Sequence, residues 1–198
     1  MGLRLPRPSV PGRLPERGAI GVKADVLGET MKAHFERMSR YNRWANRQLY
    51  GAVAQLDEAE FLAPRTGFFP SLAKTLNHLV VTDRVWLGRL TGNISAHRNL
   101  DDMPYDNLPE LTAAREAEDQ RMIAFFKELT QARIDGMFDY KNMAGEPRVQ
   151  PLLPVLAHLF NHHAHHRGQA HAMLAGTRVA PPPLDLVYFL GEDLAAQN

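Results

Sequence analysis

Apolar residues recur at spacings of three and four along the chain, which is the pattern of helices that bury one face. The first such stretch runs from residue 31 to about residue 56; its inward positions are Phe35, Met38, Asn42, Ala45, Leu49, Ala52 and Leu56. The second starts around Pro70 and continues to Leu90, where Gly92 ends it. The pattern therefore predicts two long helices in the first half of the chain.

Two more helices are predicted in the second half. The third begins beside Pro109, a residue favoured in the first turn of a helix, and reaches Leu129. The fourth covers about 151–175, and we expect Gly176 to cap it in the left-handed conformation. Four long helices around one core predict an all-α protein with a four-helix bundle.

Three segments outside these helices complete the predicted organisation. Residues 138–149 have strand-forming ends around a turn, which predicts a short hairpin or an extended crossover before the fourth helix. A short helix at about 184–190 is expected to pack as a lid. Residues 1–30 are rich in proline and glycine, so we interpret them as a disordered extension that precedes a single domain over 31–198.

Composition excludes several classes of protein. Lys plus Arg number 23 against 22 for Asp plus Glu, so the net charge of +1 gives no electrostatic footprint for nucleic acid. No apolar run approaches the roughly 20 residues that cross a bilayer, and we expect no membrane partner and a cytoplasmic location. The chain has no cysteine, so a bound metal would need His, Asp or Glu ligands.

Histidine is concentrated in the fourth predicted helix. Of nine histidines, six fall within fourteen residues: His158, His162, His163, His165, His166 and His171. At about 100° per residue, His166 lies near the centre of the apolar stripe of this helix, His163 within it and His162 at its edge. The other three point away, so the candidate metal ligands are reduced to three.

A metal site can be assembled from these candidates in more than one way. His162 and His166 are four residues apart, about 6 Å along the axis, and can bind the same ion. His163 and His166, at a spacing of three, are the competing pair. The third ligand would come from His78, the one other histidine in a strongly helical apolar segment. The alternative without a metal is a polar helix face with one or two hydrogen-bonded core imidazoles.

Three separated motifs carry a resemblance to a known family. They are residues 41–46 (YNRWAN), residues 75–79 (TLNHL) followed by Asp83, Trp86 and Leu87, and residues 158–169 (HLFNHHAHHRGQ). Over about 31–192 the chain resembles the DinB/YfiT-like metalloenzymes. The resemblance implies an up-down-down-up four-helix bundle, frequent homodimers, and nickel or zinc on three histidines that correspond to His78, His162 and His166. The family often has Gln at the position of His163.

The expected function is catalytic. Three neutral imidazoles leave open positions on an ion, where bound water has a pKa lowered to about 7. We therefore expect a metal-dependent hydrolase acting on a small molecule; the resemblance adds thiol-dependent S-transferases that use bacillithiol, mycothiol or glutathione. The alternative is a non-catalytic metal-binding or stress-response protein in which the ion is structural.

Acidic residues on inner helix faces are candidates for proton transfer. Asp83 in the second helix is the candidate catalytic residue, and Glu118 or Asp119 in the third could act in the same way. Each of them could instead form a buried ion pair with an arginine, the possible partners being Arg115, Arg89 and Arg167.

Overall fold

The computed structural model describes residues 30–97 and 99–195 of the chain. In chain order its elements are α1 (Met31–Val53), α2 (Glu58–Leu62), α3 (Leu72–Thr91), α4 (Leu108–Glu128), α5 (Gln131–Ile134), β1 (Met137–Lys141), β2 (Pro147–Pro151), α6 (Leu152–Ala175) and α7 (Leu186–Ala195). The protein is mostly helical, as predicted. The extension predicted for residues 1–30 lies outside the described residues except for Thr30. None of the described helices is long and apolar enough to cross a membrane.

Local sequence signals account for where the long helices begin. Thr30, Ser71 and Asn107 precede α1, α3 and α4, and each side-chain oxygen accepts a hydrogen bond from the backbone N–H three residues later. These bonds satisfy amide groups that have no partner within the helix. The polar residue before each apolar stretch therefore sets the start of the helix.

The two glycines after α3 and α6 behave differently. Gly92 has φ +79°, the left-handed conformation that ends a helix without steric strain. The left-handed cap predicted at Gly176 is wrong, because Gly176 has φ −84°. Its N–H instead bonds the carbonyl of Met173, so the last turn of α6 tightens into a three-residue turn.

The four long helices, α1, α3, α4 and α6, pack against one another. α1 packs against α4 and α6, and α3 packs against the same two helices. The ring of Phe35 on α1 lies 5.9 Å from Phe126 of α4 and 5.9 Å from Phe160 of α6, measured between ring centroids. The last helix, α7, packs Phe189 against Tyr41 and Trp44 of α1. It thus covers the outer side of α1.

The interior contains two apolar clusters. The first includes Leu49, Leu72, Leu76, Leu111 and Leu174. The second includes Phe35, Leu87, Met122, Phe126 and Leu156. Several buried polar residues of the long helices lie between the two clusters along the chain. Seven of them are Asn42 and Asn46, Asp83, Arg115 and Asp119, and His163 and Arg167. We call these seven residues the buried polar layer.

A hairpin joins α5 to α6, which is the first of the two alternatives predicted for this segment. β1 and β2 pair antiparallel, with Met137 opposite Pro151. The turn is closed by the side-chain oxygen of Asn142, which accepts two backbone N–H bonds, and by Gly145 at φ +79°. The hairpin brings the ring of Tyr140 to 5.4 Å from Trp86 on α3.

Candidate metal centre

Three histidines from two helices meet at one point. His78 comes from α3, and His162 and His166 come from successive turns of α6. One ring nitrogen of each lies within 4.8 Å of the others, and the Nε2 atoms of His78 and His162 are 3.2 Å apart. The structure therefore brings His78 together with the histidine pair of spacing four, one of the two pairs that the sequence pattern left open.

Hydrogen bonds fix the orientation of two of these rings. His78 Nδ1 lies 2.7 Å from the carbonyl oxygen of Leu100, to which its N–H donates. His166 Nδ1 lies 2.8 Å from the side-chain oxygen of Gln169 and donates to it in the same way. Because a neutral imidazole carries one proton, both Nε2 atoms are left as lone-pair donors. His162 differs, since its Nδ1 is buried without a hydrogen-bond partner among the described residues.

Burial keeps the three imidazoles neutral. Burial, followed by the neighbouring imidazoles His166 and His78, lowers the pKa of His162 to about 3. Burial lowers the pKa of His166 to about 4 although its bond to Gln169 opposes the shift, and burial also lowers the pKa of His78. All three rings are therefore in the uncharged form that binds a metal at neutral pH.

An aromatic wall closes one side of the cluster. The ring centroid of Phe69 lies 4.3 Å from that of His78 and 5.6 Å from that of His166. Phe69 is only 7% exposed, so it excludes water from this side. His162 is half-buried and provides the more open side.

The donor set fits a divalent transition metal. Three imidazole nitrogens suit zinc, nickel or copper, whereas calcium and magnesium need oxygen ligands. Three protein ligands are also the number that leaves a position open for water or substrate in catalytic zinc sites. A ring nitrogen hydrogen-bonded to a carbonyl, as in His78 and His166, is the usual support for a metal-binding imidazole.

His163, the competing candidate, faces the other way. Its Nε2 lies 2.5 Å from Asp83 Oδ1, and it is fully buried. The second oxygen of Asp83 accepts from Arg115 at 2.5 Å, and Arg115 also reaches Asp119 at 3.1 Å. The pair of ring nitrogens that converges with His78 is therefore that of His162 and His166.

Asp83, the predicted catalytic residue, belongs to the buried polar layer. Its hydrogen-bond partners in the described part of the chain are His163 and Arg115. Burial acts to raise the pKa of Asp83, but the electrostatic interactions and hydrogen bonds with these two neighbours more than offset it and the pKa is lowered. The carboxylate is thus held ionised between two donors rather than aimed at the three histidines.

Asp119 connects the buried polar layer to α1 by hydrogen bonds. This carboxylate accepts from the side-chain amides of Asn42 at 3.2 Å and Asn46 at 2.9 Å. Burial raises the pKa of Asp119 although the charge of Arg115 opposes the shift. Arg167 donates to the oxygen of Asn42 at 2.6 Å.

Glu118, the third acidic candidate, lies outside this layer. It pairs with Arg84 at 2.9 Å and with Arg121 at 2.5 Å. Neither arginine was among the partners considered from the sequence. All three acidic candidates therefore make ion pairs with arginine, and Arg115 is the one of the three proposed arginines that takes part.

Two positioning groups were not singled out from the sequence. Gln169 follows His166 by three residues within the HRGQ motif, so helical spacing contained a signal for it. Leu100 supplies only a backbone carbonyl, which any residue type could provide. No side-chain pattern could therefore have predicted that the Leu100 carbonyl accepts from His78.

Comparison with known proteins finds relatives that match most of the chain. The model of the DinB family matches residues 31–194. Protein DinB of Bacillus subtilis (strain 168) is 26% identical over 165 residues, which cover 78% of this chain and 92% of that protein. The matched region contains all three histidines of the cluster and the buried polar layer. This chain belongs to the DinB family.

Proposed function

We propose that this protein is a metal-dependent enzyme, a hydrolase or a thiol-dependent S-transferase, that acts on a small molecule. His78, His162 and His166 would hold the ion, with zinc or nickel as the expected metal. When bound, such an ion would act as a Lewis acid and activate a water or thiol at its open positions. The observation that carries the proposal is the convergence of three ring nitrogens within 4.8 Å.

The remaining residues of the site position groups and exclude water. Gln169 and the Leu100 carbonyl orient two rings, and Phe69 shields one side of the cluster. A role for Asp83 as acid or base stays a prediction. Its bonds to His163 and Arg115 favour a positioning role, in which it helps to hold the rotation of α6 against α3 and α4.

Further proposals concern the arrangement of the helices, the oligomeric state, the location and the partners of the protein. We propose that α1, α3, α4 and α6 form an up-down-down-up four-helix bundle, which is supported by the packing of α1 and α3 against both α4 and α6. We also propose a homodimer in the cytoplasm, with no nucleic-acid or membrane partner. The family resemblance favours the dimer, and the balanced charge of +1 argues against nucleic acid.

A structural ion is the second candidate function. His78 lies on α3 whereas the other two ligands lie on α6, so an ion would link two helices that are distant in the chain. A purely structural ion predicts a large drop in melting temperature after chelation and no activity with any substrate. A catalytic ion predicts loss of activity with a smaller drop, because the apolar clusters and the buried polar layer still hold the fold.

Elemental analysis of untagged protein, followed by activity screens, tests the proposal. We expect about one equivalent of zinc or nickel per chain. Hydrolase and thiol-conjugation screens should then show activity that chelation removes and that readdition of the metal restores. Absence of bound metal after incubation with excess zinc or nickel would contradict the proposal. A tag rich in histidine must be absent, because it would bind the same ions.

A further inference from the structure

A cavity lies between α3, α6 and the hairpin, and one of its lining residues, His158, contacts His162 of the three-histidine cluster. It has a volume of about 390 Å³ and is lined by Trp86, Tyr140, Gln150, Pro151, Pro154, Val155 and His158. This volume falls within the range of small-molecule sites, which combine apolar walls with a few polar groups. The lining contains no acidic side chain.

His158 connects this cavity to the candidate metal centre. It precedes His162 by one helical turn, and the centroids of their rings are 5.8 Å apart. On its other side the ring of His158 lies 5.6 Å from that of Trp86. The edge of the cavity formed by His158 therefore lies one turn of α6 from His162 and two turns from His166.

Arg89 does not line the cavity itself but places a positive charge against two of its lining residues. Its guanidinium carbon lies 4.7 Å from the centroid of the Trp86 ring and 5.3 Å from that of Tyr140, the two aromatic walls of the cavity. No carboxylate lies within ion-pair distance of Arg89 in the part of the chain that the structure describes. Burial lowers its pKa, so the charge is partly desolvated and has no acidic neighbour to compensate it.

These features identify the class of ligand. Aromatic and proline walls favour a flat or apolar body. A guanidinium stacked on aromatic rings keeps its in-plane N–H donors, which match the geometry of a carboxylate. The same charge disfavours a cationic ligand, whose approach to Arg89 would be repulsive.

We propose that this cavity is the substrate pocket of the candidate metal centre and takes a small molecule with an aromatic or apolar body and a carboxylate. The body would lie against Trp86 and Tyr140, and the carboxylate would be drawn toward Arg89. The assignment as a substrate pocket rests on the proposed function. The ligand class rests on the cavity and on Arg89 alone.

Tryptophan fluorescence can test the ligand class without any enzymatic assay. The chain has two tryptophans, so Trp44→Phe leaves Trp86 in the cavity wall as the single reporter. Three probes of one shape are titrated into this variant: 3-phenylpropionate, 3-phenylpropanol and 3-phenylpropylammonium. We expect each change in Trp86 fluorescence to saturate, with the anion binding about tenfold more tightly than the cation.

Substitutions at Arg89 separate charge from shape. Arg89→Met should abolish the preference for the anion, and Arg89→Lys, which keeps the charge, should retain part of it. Arg178→Met, at an exposed arginine beyond α6, is the matched control and should change nothing. Circular dichroism of each variant confirms that it is folded before titration.

The outcomes distinguish this proposal from the proposed function, because titrations are run with zinc and with chelator. Equal affinity of the three probes, or an anion preference that survives in Arg89→Met, would overturn the ligand class even if one metal ion is bound. A fluorescence of Trp86 that responds to no probe would overturn the pocket. Saturable anion binding in a protein that binds no zinc or nickel would support the pocket and overturn the metal-dependent function.

Discussion

His162 and His163 are neighbours in sequence, yet they serve two regions with opposite electrostatics. His162 is half-buried and meets two other neutral imidazoles, whose lone pairs converge. His163 is fully buried and bonds the ionised carboxylate of Asp83. A rotation of about 100° between consecutive residues of a helix separates the two environments. Identical side chains on one helix turn can therefore contribute to a candidate metal site and bond a buried carboxylate.

The two regions also differ in how their charges are balanced. In the buried polar layer, Asp83 lies between His163 and Arg115, and Arg115 also pairs with Asp119. Among the described residues no carboxylate pairs with the three-histidine cluster, whose nitrogens offer lone pairs but no negative charge. An added cation would therefore be favourable in the cluster, whereas the layer already contains the guanidinium groups of Arg115 and Arg167.

Breaking the buried polar layer should have the largest effect. Asp83→Ala leaves Arg115 as a buried guanidinium with a lost partner, and loss of one member of a buried ion pair costs about 3–5 kcal/mol of unfolding free energy. Urea denaturation measures the loss. Asp139→Ala, at an exposed position of β1, is the control and should stay within about 0.5 kcal/mol of wild type. A loss below about 1 kcal/mol in Asp83→Ala would contradict a structural role for the layer.

Removing a ligand should separate metal binding from stability. His166→Ala deletes one of three nitrogens, so we expect loss of stoichiometric metal binding, with affinity falling by more than about 100-fold. Isothermal titration with zinc or nickel measures it. His165→Ala removes an adjacent exposed imidazole and should keep one equivalent of metal. Equal retention of metal by the two variants would refute the assignment of ligands.

A smaller effect is expected when the support of a ligand is removed. Gln169→Leu deletes the acceptor that orients His166, and we expect about a 10- to 100-fold loss of metal affinity with unchanged stoichiometry. Gln120→Leu, on the exposed face of α4, is the matched control. If competition with a chelator gives the same affinity for Gln169→Leu as for wild type, the side-chain bond does not position the ring.

An exposed ion pair should contribute least. Glu116 accepts from Arg47 and Arg43, and these bonds lower its pKa to about 2 against the opposing effect of partial burial. Because the folded-state pKa is depressed, this stabilisation is present above about pH 4.5 and is lost as the pH falls toward 2.

Thermal melts across this range compare Glu116→Gln with wild type. We expect a difference of at most about 1 kcal/mol at pH 7, because the pair is partly exposed, and convergence of the two proteins near pH 2. A difference that persists unchanged at pH 2, or that grows on acidification, would contradict the sign of the shift.

Local patterns predicted a large part of this protein. The apolar spacing, the polar residue before each of α1, α3 and α4, and Gly92 after α3 located those helices within a few residues. Spacing of four also made His162 and His166 one of the two candidate ligand pairs. Gly176 shows where such reasoning fails, since glycine permits the left-handed conformation but does not impose it, and the end of α6 tightens instead.

Two contacts that sequence reasoning missed or left open join residues that lie far apart in the chain. Asp83 could have paired with any of three arginines, and the packing of α3 beside α4 chose Arg115. The carbonyl that orients His78 belongs to Leu100, which follows α3 in an irregular segment. Side-chain patterns within one helix carry no information about either contact.

The sequence by itself determined the helices, the apolar stripes and the short list of histidines, because these follow from spacing along a single chain segment. Only the tertiary structure decided that His162 rather than His163 joins His78. That choice depends on the rotation of α6 against α3, which is set by the burial of both helices and by the bond from His163 to Asp83. Rotation is a property of the packed pair of helices, and neither helix contains it alone.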